Sequence, residues 1–208
     1  MKIPQLDFMT TVVAVFELQG NIVKKFEPGK PGNRELIIGH LTGTSPIIIT
    51  DLHCEKAQLL MQDMECRCTI KRLMGEPIHN FMNNVVTSFQ GTHININQAG
   101  ILAWAPKLLQ DLMAADDRKM DFATICSNSN WVFVNGKSTF KLNFEPIITR
   151  HSRPSDMFFH DGHDGAGNRI QFWARSKFDK QMAISARVRK HVIVDDIQTT
   201  ILNYVKKI

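Results

Sequence analysis

This sequence predicts an α+β fold, a mostly antiparallel sheet with about three helices, and three observations carry that reading. Apolar residues alternate with polar ones through much of the C-terminal half. Two apolar stripes at helical spacing interrupt the middle of the chain. Turn-forming Asn, Asp and Gly residues separate the strand-like runs, as antiparallel neighbours require. A jelly roll or β-sandwich with inserted helices is the alternative for the same pattern. At 208 residues, with 43% hydrophobic and 22% charged content, the chain can bury a core, and it reads as one domain over 1–208 with a basic sheet region over 137–208.

Taken in order, Thr11–Leu18 and Ile22–Phe26 flank Gln19-Gly20-Asn21 and predict a hairpin, followed by a Pro/Gly surface loop over Glu27–Asn33. Arg34–Leu41 and Pro46–Asp51 read as two further strands. Leu59–Leu73 is ambiguous: its first half suits a helix, while Met64, Cys66, Cys68 and Ile70 alternate as in a strand. A helix starting at Pro77 carries Ile78, Phe81, Met82, Val85, Val86 and Phe89 on one stripe, with Gly91 just past its end. A second helix starts near Pro106 and buries Leu108, Leu109, Leu112 and Met113.

Beyond Asp121 the chain turns to strands. Trp131–Val134 and Lys137–Phe144 flank Asn135-Gly136, a pair that accepts the positive φ angles of a type I′ turn. Asp156–His160 and Arg169–Ser176 flank a Gly-rich loop. Met182–Val194 alternates as one long strand, and Asp195 or Asp196 caps a last helix carrying Ile197, Ile201, Val205 and Ile208.

Charge is unevenly placed. Residues 137–208 hold 13 of the 25 Lys and Arg but 7 of the 20 Asp and Glu, a net of +6, against −1 for residues 1–136. A polyanionic partner accounts for that bias better than a small substrate does. If Ile170, Phe172 and Ala174 face inward, then Arg169, Gln171, Trp173 and Arg175 face out; likewise Arg187, Arg189 and His191 on the next strand. A Trp between two Arg residues suits a stacked base with held phosphates on either side. These seven residues form the expected nucleic-acid surface, with RNA favoured.

His160, Asp161, His163 and Asp164 put two imidazoles and two carboxylates within five residues, beside glycines that let a loop close around a divalent metal. No other cofactor is indicated. His53-Cys54 and Cys66-x-Cys68 offer zinc-type ligands at spacings unlike those of zinc knuckles, and buried thiols account for them better. Nucleophile-elbow, phosphate-loop and dinucleotide fingerprints are absent.

The sequence thus predicts a non-enzymatic, nucleic-acid-binding, self-associating protein of the kind found among viral nucleocapsid, matrix or RNA-binding accessory proteins. A metal-dependent hydrolase or nuclease using His160–Asp164 is the first alternative, and a matrix-like protein on an anionic membrane surface is the second. Four cysteines without an apolar leader, and apolar runs too short to cross a bilayer, predict an intracellular location, in the cytoplasm or, if viral, the host cytoplasm or virion. Homo-oligomerisation is expected through sheet edges or the terminal helix.

Overall fold

The computed structural model describes residues 1–23, 29, 31–133 and 138–208, which group into two compact units, Met1–Met113 and Ala114–Ile208. Among the described residues, five helices of nine residues or more and a closed five-stranded barrel make the fold α+β, with more helix and less open sheet than the sequence pattern predicts.

The first unit is helical. Strand β1 (Lys2–Pro4) pairs antiparallel with β2 (His93–Asn95), a two-stranded clip outside the helices. Helix α1 (Gln5–Gln19) replaces the expected Thr11–Leu18 strand. Every residue from Phe8 to Phe16 is buried, and a helix sunk on all sides shows no amphipathic stripe, so its β-branched Thr and Val run imitates a strand. Gly20, at φ 67°, closes it in the left-handed conformation. The Ile22–Phe26 partner strand, the 27–33 loop and the Asn135-Gly136 turn lie wholly or partly outside the described residues.

Helix α2 (Asn33–Leu41) likewise stands where a strand is predicted, and in place of the expected Pro46–Asp51 strand an irregular segment over 46–50 leads into α3 (Asp51–Leu73). Ala57, Leu60, Met61, Met64 and Cys68 line the buried face of α3 at steps of three and four, which settles the ambiguous segment as helix. Cys66, two residues from Cys68, therefore points away and is exposed. At its start the Thr50 N–H donates to His53 Nδ1 at 3.0 Å, tying down the first turn. Helix α4 (Asn80–Ser88) begins three residues beyond Pro77, because the His79 side chain accepts the Phe81 N–H and caps it there. Then follow the single-turn α5 (Ala99–Leu102) and the long α6 (Ala105–Ile125).

The second unit is the barrel: β3 (Phe140–Ser152), β4 (Met157–Asp164), β5 (Arg169–Ala174), β6 (Met182–Val194) and β7 (Ile197–Lys207), closed in the order β3-β4-β5-β7-β6. All neighbours are antiparallel except β5 and β7. Phe144, Ile170, Phe172, Phe178, Ile184, Ala186, Val188 and Leu202 fill it.

The expected C-terminal helix is β7. Asp195 and Asp196 both take positive φ (50° and 62°) and form a two-residue hairpin turn that pairs Val194 with Ile197, where the sequence suggested a helix cap. Thr199, Thr200 and Leu202 are buried in the strand, so the i, i+4 spacing of Ile197, Ile201 and Val205 is incidental. This also removes the terminal helix as a ground for self-association.

Candidate nucleic-acid interface

Strand alternation sorts the barrel residues into an inner and an outer set. On β5, Ile170, Phe172 and Ala174 face inward as predicted, which turns Arg169, Gln171 and Trp173 outward. Of these only Trp173 is exposed, at 46%; Arg169 and Gln171 are buried, at 3% and 9%. The expectation of a solvent-facing Arg169 and Gln171 is corrected. The outer side of the sheet at this point is covered by the end of α6, whose Phe122 ring lies 4.0 Å from the Arg169 guanidinium.

Beneath that cover a closed polar network forms. Arg169 donates to both oxygens of Asp161 (2.9 and 3.2 Å), to the Val194 carbonyl (3.0 Å) and to Asp195 (3.3 Å), and Gln171 donates to Asp161 at 2.8 Å. Burial disfavours the Arg169 charge, but Asp161 and Asp195 outweigh it and hold its pKa above the ordinary arginine value. A guanidinium so occupied has little left to give a phosphate.

The His160–Asp164 segment is not a loop. Strand β4 runs through Asp164, and only Gly165–Asn168 turn the corner. His160 therefore points inward, between the Phe172 and Phe178 rings, with Nε2 donating to the Ser176 carbonyl at 3.1 Å. Asp161 points outward to Arg169. His163 Nδ1 donates to the Asp164 carbonyl (2.8 Å), and Asp164 accepts from the Ala166 and Asn168 backbones, each at 2.9 Å, as a turn-holding side chain. The expected convergence of four ligands does not occur. Among the described residues no three His, Cys, Asp or Glu side chains are grouped to hold an ion.

The remaining candidates stay near the surface. Arg175 and Arg189 are exposed, while Arg187 is half-buried, donating to Thr139 Oγ1 at 3.1 Å. His191 is half-buried and stacks on Trp131 with ring centroids 5.5 Å apart. The barrel adds two residues that the sequence pattern did not single out. Register pairs Arg150 of β3 with Phe159 of β4, and Phe159 with Trp173 of β5. A cation and two aromatic rings thus lie in one row across three strands, with the Phe159 and Trp173 centroids 5.2 Å apart. Reading β4 to Asp164 would have brought out Phe159, since its parity then matches that of Asp161.

No protein-family model, curated protein or solved structure matches this chain. Among the described residues no helix is long and apolar enough to cross a membrane.

Proposed function

We propose that this protein is a non-enzymatic binder of single-stranded nucleic acid, held on the outer face of β4 and β5. The observation that carries the reading is the Arg150–Phe159–Trp173 row. Adjacent bases stack on aromatic faces whatever their identity, and neighbouring cations follow the backbone, which is the general arrangement by which single strands are held without sequence readout. Of the aromatic pair Trp173 is exposed and Phe159 half-buried, and both are flanked by the exposed Arg150 and Arg175, neither with an ion-pair partner among the described residues. By contrast, duplex recognition needs an element shaped to enter a groove, and a ring row on a convex sheet is not one.

The architecture supports the same reading. A five-stranded closed barrel with a Greek-key strand order is the plan of oligonucleotide- and oligosaccharide-binding barrels, whose second and third strands carry the ligand. Here those are β4 and β5. Fold analogy alone does not assign function; the reading is supported chiefly by the ring row and the charge of the C-terminal region.

The test is fluorescence anisotropy with labelled oligothymidylate and oligouridylate against a duplex of equal length, over a salt series. Single strands are expected to bind more tightly, and the pair Phe159→Ala and Trp173→Ala to weaken them by about 1–3 kcal/mol per lost stack. A protein that binds neither strand type at low salt, or a double variant that binds as the parent does, would exclude this reading.

A further inference from the structure

Tyr204 is the sole tyrosine of the chain, is 72% exposed, and takes a positive φ of 52°. Bulky side chains rarely adopt that conformation, because Cβ crowds the backbone, so an aromatic residue there marks a place where position outweighs local strain. The cause is visible in the register. Ser185 pairs with Lys206 and Arg187 with Asn203, so Tyr204 and Val205 together oppose Ala186 across a β-bulge. A bulge re-aims the side chains on either side of it. Val205 packs against the barrel core, while Tyr204 is thrown outward.

What Tyr204 meets is chemically specific. On one side the Arg187 guanidinium lies 5.3 Å from its ring centroid. On the other it lines a cavity of about 520 Å³ together with Trp173, Arg175, Lys206 and Lys207. Two exposed rings and three cations line this cavity, with no acidic side chain among the residues around it. Strand β7 lies between β5 and β6, so Tyr204 stands between the strand that carries Trp173 and the one that carries Arg187.

We propose that Tyr204 is a base-stacking platform and that the cavity beside it seats one nucleotide. The base lies against Tyr204, and the phosphate lies between Arg175 and Lys206. The bound single strand then crosses the barrel from the Arg150–Phe159–Trp173 row, over β7, toward Arg187 and Arg189. From Trp173 on β5 over β7 to β6 is two strand spacings, about 10 Å at about 4.8 Å each, within reach of the shortest strands that one such barrel occupies, about four nucleotides. The inference rests on the single-strand reading above and adds a subsite and a direction to it.

The experiment compares Tyr204→Phe, Tyr204→Leu and Tyr204→Gly with the parent, in the full chain, using a labelled oligothymidylate of about 16 nucleotides. Phe keeps the ring and should bind as the parent does. Leu keeps bulk without a π face, and Gly accepts the positive φ at no steric cost; both should lose about ten-fold in affinity. Gly should do so with a melting temperature equal to or above the parent's, a combination that a purely structural tyrosine would not give. A strand carrying 5-iodouracil should photocross-link to the peptide that contains Tyr204. Parent-like binding by both Leu and Gly, while Phe159→Ala still weakens binding, would overturn the Tyr204 subsite and leave the β4–β5 face standing. A parent protein that binds no single strand would sink both.

Discussion

Asp161 and Arg169, on adjacent strands of the barrel and each only 3% exposed, are joined by two hydrogen bonds and form a buried ion pair on the outer side of the sheet. Asp161 belongs to a string that resembles a metal loop, and Arg169 to a row that resembles a phosphate-binding strand. Each neutralises the other, so neither is available for that chemistry. The pair and its neighbours Gln171, Val194 and Asp195 form a fully satisfied network, which is the condition under which buried charge is tolerated.

Removing one member should therefore be worse than removing both. Asp161→Ala leaves a guanidinium buried against the Phe122 ring with Asp195 as its remaining anion. A loss of about 3–5 kcal/mol is expected from urea unfolding of that variant. The double change Asp161→Leu with Arg169→Met should lose less than either single change. If the double variant is the least stable of the three, the network matters through contacts other than the pair.

His160 gives the barrel a pH dependence. Burial lowers its pKa below the ordinary imidazole value; the Ser176 carbonyl opposes this, and the Lys207 charge adds to it. The unfolded chain, whose histidine titrates near about 6.5, then takes up a proton before the folded one does. Stability from this group is complete above that pH and is lost as pH falls through the lower folded-state value. Unfolding midpoints measured from about pH 7.5 to 5 should fall in the parent and flatten in His160→Gln. An equally steep fall in the variant would place the effect elsewhere.

Much of the second unit is legible in the sequence because its strands are half-buried and alternate. Met182–Val194 is a strand with the predicted bounds, and Ile170, Phe172 and Ala174 face the core as predicted. What misled is physical in each case. Helix α1 is buried all round from Phe8 to Phe16, so its pattern has no period to read. Asp195 and Asp196 suit a helix cap and a hairpin turn equally, and only the pairing of Val194 with Ile197 decides. Arg169 and Gln171 obey strand parity and are still buried, because parity separates two faces of a strand and says nothing of what covers the outer one. The bulge at Tyr204 depends on cross-strand register, which no local pattern carries.

The glycines of the His-Asp string separate by role. A Cβ on Gly162 would lie 2.0 Å from the Glu145 carbonyl oxygen and 2.9 Å from Pro146 Cα, both backbone atoms that cannot swing aside. Gly162 is needed where β3 and β4 approach closely, next to the register shift between Pro146 and Ile148. Gly162→Ala should destabilise by about 1–3 kcal/mol or more. Gly165→Ala, with open space around it, should stay within about 0.5 kcal/mol of the parent. Equal effects from the two in thermal unfolding would argue against the close approach.

Thiol reactivity should follow burial. Burial raises the pKa of Cys68, and that of Cys126 is pushed up to about 11 by burial, against a lowering from Arg169. Cys66 is exposed. Under native conditions an aromatic disulfide reagent should modify Cys66 first and leave Cys68 and Cys126 until denaturant is added. Early loss of Cys126, read by peptide mapping, would mean that the Arg169 cover opens readily.

The salt dependence of binding locates the phosphates. For single strands the slope of log affinity against log salt is about −0.7 for each phosphate neutralised. Arg150 and Arg175 flank the ring row and have no ion-pair partner among the described residues, so each alanine variant should make the slope shallower by about 0.7. Lys107, already paired with Asp111 at 2.8 Å in the helical unit, should leave it unchanged. Arg189 on β6 discriminates between two placements of the strand. If Arg189→Ala flattens the slope along with Arg150 and Arg175, the strand runs from the ring row across β7. If Arg189 alone flattens it, the phosphates follow β6, and the aromatic row of β4 and β5 is not where the nucleic acid lies.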